Sequence, residues 1–279
     1  MTRLIEPAPR ELAPLVRYLH AETGSAGSHL LPAMPFPVIG LLIAGGTRLD
    51  IDGLGAGKPT PRVFLVGPLT RPSTLHLKPG TQFVTAVLQA GALPSFFAGD
   101  ARRFANRVTN LGELWPAAVL DRLVADLVPG TPDKVAISYF SILLAGLACA
   151  TYPPLHIPER LWETPIAELA AEAGYSTRHF QRLVGTHFGF PPRELKRFSR
   201  YLAALRGIMG GGGNGRPLAQ LAADSGYFDQ AHMAHDFRRL AGLSPHSLHH
   251  GLAARDNNAD RLYFVRYDKK HWPALGIEG

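Results

Sequence analysis

The chain has 279 residues and a mass of 30.2 kDa, a length that favours two domains, each with its own core. With 46% hydrophobic and 18% charged residues and a mean hydropathy of +0.01, it lies outside the range of disordered chains, and its 29 Gly and 24 Pro residues follow no collagen-like period. The net charge of +7 admits nucleic acid as a partner without establishing it.

Met1 to Arg17 carries Glu6, Glu11 and several prolines where a signal peptide needs an unbroken apolar core. The longest apolar run, Ile137 to Ala150, is interrupted by Ser138, Ser141 and Gly146 and falls short of the roughly 20 residues that span a bilayer. The expectation is a cytoplasmic protein with no membrane segment. The first third reads as short strands at Val38–Ala44, Thr47–Ile51, Arg62–Val66, Thr74–Leu77 and Phe83–Ala90. They are bounded by Gly45-Gly46, Asp52-Gly53, Gly67-Pro68 and Pro79-Gly80. That spacing suits a small antiparallel barrel or sandwich of the cupin kind.

From Leu111 the period becomes helical, through Leu114, Trp115, Ala118, Leu120, Leu123, Val124 and Leu127, until Pro129-Gly130 ends it. A second helix, from about Pro132 to Ala150, is almost wholly apolar beyond Val135 and should be buried in the domain or between chains. The single cysteine, Cys149, has no intramolecular partner and reads as an inert buried thiol. Tyr152-Pro153-Pro154 then breaks the helix. The expected division is a sensory and dimerisation domain over 1–152, a linker at 153–158, a helical domain over 159–252 and a tail over 253–279.

Beyond the linker the chain repeats itself. Leu169-Ala170-Ala171-Glu172-Ala173-Gly174-Tyr175 recurs 52 positions later as Leu221-Ala222-Ala223-Asp224-Ser225-Gly226-Tyr227. After the glycine the displacement becomes 53, matching Phe180 to Met233, Val184 to Phe237, Gly189 to Gly242 and Pro192 to Pro245. One residue is therefore inserted in the second turn. Each copy opens at a proline, Pro165 or Pro217, and its first helix ends at a glycine suited to the left-handed cap. Ser176 and Asp229 are placed to cap the next helix. The pattern is a helix, a tight turn and a second helix, twice over. The fold class is thus α+β: a small antiparallel β-barrel with two helices, followed by an all-α domain of two helix-turn-helix units. Between the copies, Pro192 to Met209 reads as one long joining helix, a strut of about 27 Å, fit to hold two recognition helices in successive major grooves.

The second helix of each unit has two faces. In the first, Phe180, Leu183 and Val184 turn inward while Arg178, Gln181 and Arg182 share the outer face. In the second, Met233, Phe237 and Leu240 pack inward and Gln230, His232, Ala234, His235 and Arg238 are presented. Arg matches guanine and Gln matches adenine in the major groove. Residues 173–223 carry Arg178, Arg182, Arg193, Lys196, Arg197, Arg200, Arg206 and Arg216 against the single acid Glu194. Of these, Arg193, Lys196, Arg197 and Arg200 suit phosphate contact or solvated surface rather than base reading, and Ser176 and Arg238 join the phosphate set.

Over about Ile157 to Leu248 the sequence resembles the AraC/XylS family of transcription regulators. The resemblance is carried by Gly226-Tyr227-Phe228-Asp229-Gln230-Ala231-His232, by Phe237-Arg238-Arg239 and by Gly242-Leu243-Ser244-Pro245. It implies double-stranded DNA as partner, with Arg178, Gln181, Arg182, Gln230, Ala231, Ala234 and His235 approaching bases. RNA polymerase, a second copy of the chain and a small-molecule effector are the further partners it suggests. Val66-Gly67-Pro68 and Asn106-Arg107 to Leu111 echo one subgroup of the accompanying sensory domains. Two features depart from the family. Asp236 stands where a basic or neutral residue is usual, so that it weakens phosphate binding unless it pairs with a neighbouring Arg, and Gly210 to Gly215 is unusually glycine-rich.

No catalytic, metal or cofactor site is expected. His29 and His76 are isolated, His246, His249 and His250 fit no standard ligand spacing, and Cys149 lacks the polar, basic niche of a reactive thiol. The N-terminal domain is left as a small-molecule pocket or a dimerisation module. Phe36, Phe64 and Phe83 are candidate lining residues that core packing explains equally well. The alternative function is a small-molecule-binding protein or enzyme with a vestigial DNA reader.

Overall fold

The structure, a computed structural model, describes residues 2–97, 99–148, 161, 163–210 and 217–248. Its strands are β1 (Thr2–Pro7), β2 (Val16–Leu31), β3 (Val38–Ala44), β4 (Thr47–Ile51), β5 (Val63–Val66), β6 (Ser73–Leu88) and β7 (Val108–Asn110). They form one antiparallel sheet in the order β1-β2-β6-β3-β5-β7, with β4 also on β6. β3 and β4 have the bounds their sequence predicts. The two strands expected at Thr74–Leu77 and Phe83–Ala90 are instead one, β6. β1, β2 and β7 occupy stretches whose composition gave no strand signal.

The glycine pairs read as turns mark a shared corner in the sheet. β3 lies along Gln82–Val87 of β6 and β4 along its Ser73–Leu77, so β3 and β4 continue one another past Gly45-Gly46. β2 shifts register at the same level, between Thr23 and Gly27. Gly45 (φ +73°) has no room for a Cβ, which would fall 2.6 Å from Thr81 Cα. Gly80 also has φ +73°, a conformation glycine adopts without steric cost. Because neighbouring strands already hold both flanks, these glycines bend the chain where an isolated segment would reverse.

Alternation along the strands separates two faces. Leu19, Ala21, Ile39, Leu41, Ile43, Val84, Ala86 and Leu88 share a buried core with Phe97, Trp115, Leu123, Ile137, Phe140 and Leu144. This core is covered by α1 (Ala117–Asp126) and α2 (Asp133–Leu147). The stripe expected from Leu111 is divided, because Leu111–Glu113 is a short 3-10 turn and α1 starts after Pro116. Asp133 fastens the start of α2 by accepting from Thr2 Oγ1 (2.7 Å) and Thr23 Oγ1 (2.8 Å). Only one side of α2 is buried. Ile142 is 74% exposed and Val135 53%, so one face of this helix is buried in the domain and the other is open in the single chain.

On the other face, Glu22 is fully buried and accepts from Arg3 Nε at 2.8 Å, with His20 Nε2 at 3.4 Å. Pairing offsets the desolvation that buried charge otherwise costs. Burial lowers the pKa of His20, opposed by its bond to Glu22, and burial pushes the Tyr18 hydroxyl up to about 12. Ile5, Leu42, Phe64, Leu77 and Phe83 belong to one core with the C-terminal helices. These are α3 (Ile166–Glu172), α4 (Thr177–Phe188), α5 (Pro192–Gly210), α6 (Leu218–Asp224) and α7 (Gln230–Ala241). The architecture is therefore α+β, as expected, with a bent antiparallel sheet followed by a helical domain. Cys149, the linker at 153–158, the glycine run beyond Gly210, His249, His250 and the tail lie outside the described residues. No helix among the described residues is long and apolar enough to cross a membrane.

Candidate nucleic-acid interface

The duplication seen in sequence is reproduced bond for bond. After α3, Gly174 takes φ +73°, with Tyr175 N donating to Ala170 O (2.8 Å) and Gly174 N to Ala171 O (2.9 Å). After α6, Gly226 takes φ +75°, with Tyr227 N donating to Ala222 O (2.9 Å) and Gly226 N to Ala223 O (3.1 Å). Both turns are Schellman caps, which satisfy carbonyls the helix end leaves free. Ser176 Oγ accepts from His179 N at 3.3 Å to start α4, and Asp229 Oδ1 accepts from His232 N at 2.7 Å to start α7. The second helices end at the equivalent left-handed glycines Gly189 and Gly242.

Their faces divide as the spacing predicts. Phe180, Val184 and Phe188 of α4 and Met233, Phe237 and Leu240 of α7 are buried. Arg178, Gln181 and Arg182 of α4 are exposed, as are Gln230, Ala231 and His235 of α7, while Ala234 is half-buried. Tyr175 stacks on His179 with centroids 4.7 Å apart, and His179 Nδ1 lies 3.4 Å from an Arg182 guanidinium nitrogen. An aromatic pair thus stands beside the Arg at the head of the helix. α5 is one helix of 19 residues, about 28 Å long.

The phosphate set is less uniform. Ser176, Arg193 and Arg238 are exposed, and Lys196, Arg197 and Arg200 are half-buried. Arg197 is engaged inside the domain. Its guanidinium donates to both Glu194 oxygens at 2.6 Å and its Nε lies 3.1 Å from Asp236 Oδ1, while Arg239 reaches Glu194 at 3.4 Å. The acid that departs from the family pattern therefore faces inward: Asp236 is 2% exposed and ties α7 to α5 through Arg197. Arg200 lies over the Tyr227 ring at 5.6 Å. Burial raises the pKa of the Tyr227 hydroxyl.

The insertion detected by the change from 52 to 53 is Phe228, which stands 93% exposed beside Asp229 at the head of α7. Sequence reasoning located the insertion and gave the residue no role. Among the candidate ligand residues, Phe64 and Phe83 are buried core, Phe64 filling the space above Gly40, where a Cβ would meet its ring at 2.3 Å. Phe36 is half-buried beneath the Arg17 guanidinium at 4.2 Å. None of the three lines the groove of about 470 Å³ bordered by Leu30, Asp52, Gly53, Pro72, Ser73 and Gly242. Among the described residues, no group of three or more His, Cys, Asp or Glu side chains is arranged to hold a metal ion.

A family model described as a helix-turn-helix domain matches residues 169–250. No curated protein matches the chain. Among solved structures, it is similar to wild-type ToxT from Vibrio cholerae strain SCE256 with an unsaturated fatty acid bound, at 12% identity over 90% of this chain and 95% of that one, with a TM-score of 0.43. It is also similar to ToxT from Vibrio cholerae O395 bound to (E)-4-(8-methylnaphthalen-1-yl)but-3-enoic acid, at 13% identity, 84% and 99% coverage and a TM-score of 0.45. For the AraC-like transcriptional activator CuxR the identity is 13%, the coverage 73% and 95%, and the TM-score 0.29. All three scores are below 0.5. The match to the helix-turn-helix model falls on the paired units, the same stretch that carries the sequence resemblance to the AraC/XylS family.

Proposed function

We propose that the protein regulates transcription by binding double-stranded DNA at a specific sequence. The observation that carries the reading is the division of α4 and α7: their apolar sides are buried, and Arg178, Gln181, Arg182, Gln230, Ala231 and His235 are left at the surface. Arg and Gln present the paired donors and acceptors that guanine and adenine match in the major groove. Arg193, Lys196 and Arg238 supply charge for phosphates. The first 152 residues serve as a sensory and dimerisation domain. A second copy of the chain fits the open side of α2, where Ile142 and Val135 are exposed, and a small-molecule effector and RNA polymerase complete the proposed partners.

The reading is tested by affinity measured on a duplex that the wild-type chain selects from a random pool. Arg182→Ala relaxes the choice of base at one position by about 1–3 kcal/mol, whereas Lys196→Ala weakens binding on all sequences and reduces the salt slope by about 1. Identical behaviour of the two variants, or failure to select any sequence, overturns it.

A further inference from the structure

Both helix-turn-helix units rest on the same short loop of the N-terminal domain, and they do so through equivalent positions. The loop is residues 67–72, between β5 and β6. At the end of α4, the space a Cβ would take on Gly189 is met by Pro68 Cγ at 3.3 Å and by Ala101 O at 3.1 Å. At the end of α7, the same space on Gly242 is met by Pro72 Cβ and Cγ at 3.7 Å and by Leu30 at 3.9 Å. Gly189 and Gly242 are the matching residues of the duplication. Further bonds secure each seat: His187 Nδ1 reaches Gly91 O at 3.3 Å, and Ala33 N donates to Leu240 O at 2.6 Å.

The loop itself is held rigid by the segment around Asn106. Thr70 N donates to Asn106 Oδ1 (2.8 Å), Asn106 Nδ2 to Thr70 Oγ1 (2.9 Å), Asn106 N to Pro68 O (2.9 Å) and Gly67 N to Arg107 O (3.1 Å). Asn106 has φ +55°, the one positive φ on a non-glycine among the described residues, and Asn is among the few residues that accept it. A Cβ on Gly67 would lie 1.8 Å from Phe104 O, so only glycine fits there. Gly67-Pro68 and Asn106-Arg107, which sequence linked only to a turn and to one subgroup of sensory domains, are thus the two halves of one support.

We propose that the 67–72 loop, locked by Asn106, is a two-point brace that fixes the relative placement of the two recognition helices, and hence the half-site spacing the protein accepts. Asn106 and Thr70 are positioning residues that touch no DNA. The contacts lie at the C-terminal ends of α4 and α7, and the reading residues Arg178, Gln181, Arg182, Gln230 and His235 remain exposed, so the braced arrangement is the one that meets DNA. This inference rests on the DNA-binding reading.

The test uses the full-length chain and the duplex selected by wild type. Inserting one base pair between its half-sites moves the second by about 3.4 Å and roughly 35°. That insertion costs wild type about tenfold in affinity, the scale of one mismatched contact. Asn106→Gly keeps the left-handed backbone and removes the amide; it loses less than about threefold on the insertion, and Asn106→Asp, which retains the acceptor for Thr70, restores the discrimination. Equal weakening on both duplexes reduces the loop to a structural part and overturns the proposal. A second arm, in a Cys149→Ser background, combines Pro72→Cys with Gly242→Cys, whose Cβ atoms stand about 3.7 Å apart, within disulfide range. The oxidised chain should bind the duplex as tightly as the reduced one. Loss of binding on oxidation that a reductant reverses, or failure of the pair to cross-link in the folded chain, overturns the brace. A wild-type chain that selects no DNA fails the functional reading itself, a separate result.

Discussion

Replacing Asp236 with alanine should weaken the C-terminal domain and leave DNA affinity no higher. The carboxylate is 2% exposed and joins α7 to α5 through Arg197 Nε at 3.1 Å. Removing one partner of a buried pair costs about 3–5 kcal/mol when the survivor is left uncompensated. Arg197 keeps two bonds of 2.6 Å to Glu194 and its side chain is 23% exposed, so the cost falls to about 2–3 kcal/mol. Asp236→Asn keeps the shape and one oxygen toward Arg197 and should lose about half as much, roughly 1 kcal/mol. Urea unfolding followed by far-UV circular dichroism reads both values as a shifted midpoint at unchanged slope. An acid facing phosphates would act in the opposite sense, because its removal would tighten DNA binding. A loss below about 0.5 kcal/mol, or a gain in affinity of about tenfold, would refute the assignment of Asp236 to the tie between α5 and α7.

Because Phe228 stands 93% exposed beside the proposed reading residue Gln230, Phe228→Ala should change stability by less than about 0.5 kcal/mol and lower affinity for the selected duplex about tenfold; unchanged affinity shows that this ring makes no contact with the duplex. Phe64→Ala empties the space above Gly40 and should cost about 3–5 kcal/mol in urea unfolding, whereas a change below about 1 kcal/mol would argue for a lining role over a core one. Burial lowers the pKa of His187, opposed by its bond to Gly91 O, so the folded chain binds this proton less readily than the unfolded chain. The associated stability is present above about pH 6.5 and is lost as pH falls through the depressed value. The protection of amides in the last turn of α4, their exchange rate taken relative to the intrinsic rate at each pH, should therefore fall on acidification below that pH, and His187→Gln should flatten the response. Since burial also lowers the pKa of His20, a remainder should survive in that variant; an identical pH profile in wild type and His187→Gln would dismiss the His187 contribution.

The amino-acid sequence by itself determined the paired units, because everything that defines them is local. Glycine caps at Gly174 and Gly226, side-chain caps at Ser176 and Asp229, and the three- and four-residue spacing of Phe180, Val184, Met233 and Phe237 each act within a turn or two of chain. The same local rules located β3 and β4. They missed β2, whose Ala21 to Ser28 is rich in small and polar residues and is extended because β1 and β6 flank it. They also took the corner at Gly45 and Gly80 for turns, since one glycine signal serves a reversal or a bend and only the neighbouring strands choose between them. Tertiary structure alone decided that Asp236 faces Arg197 inside the domain, that Phe64 fills a notch above Gly40, and that Pro68 and Pro72 sit under the ends of α4 and α7. Those contacts join residues far apart in the chain, and a buried charge or a packed ring takes its role from whatever the fold brings against it.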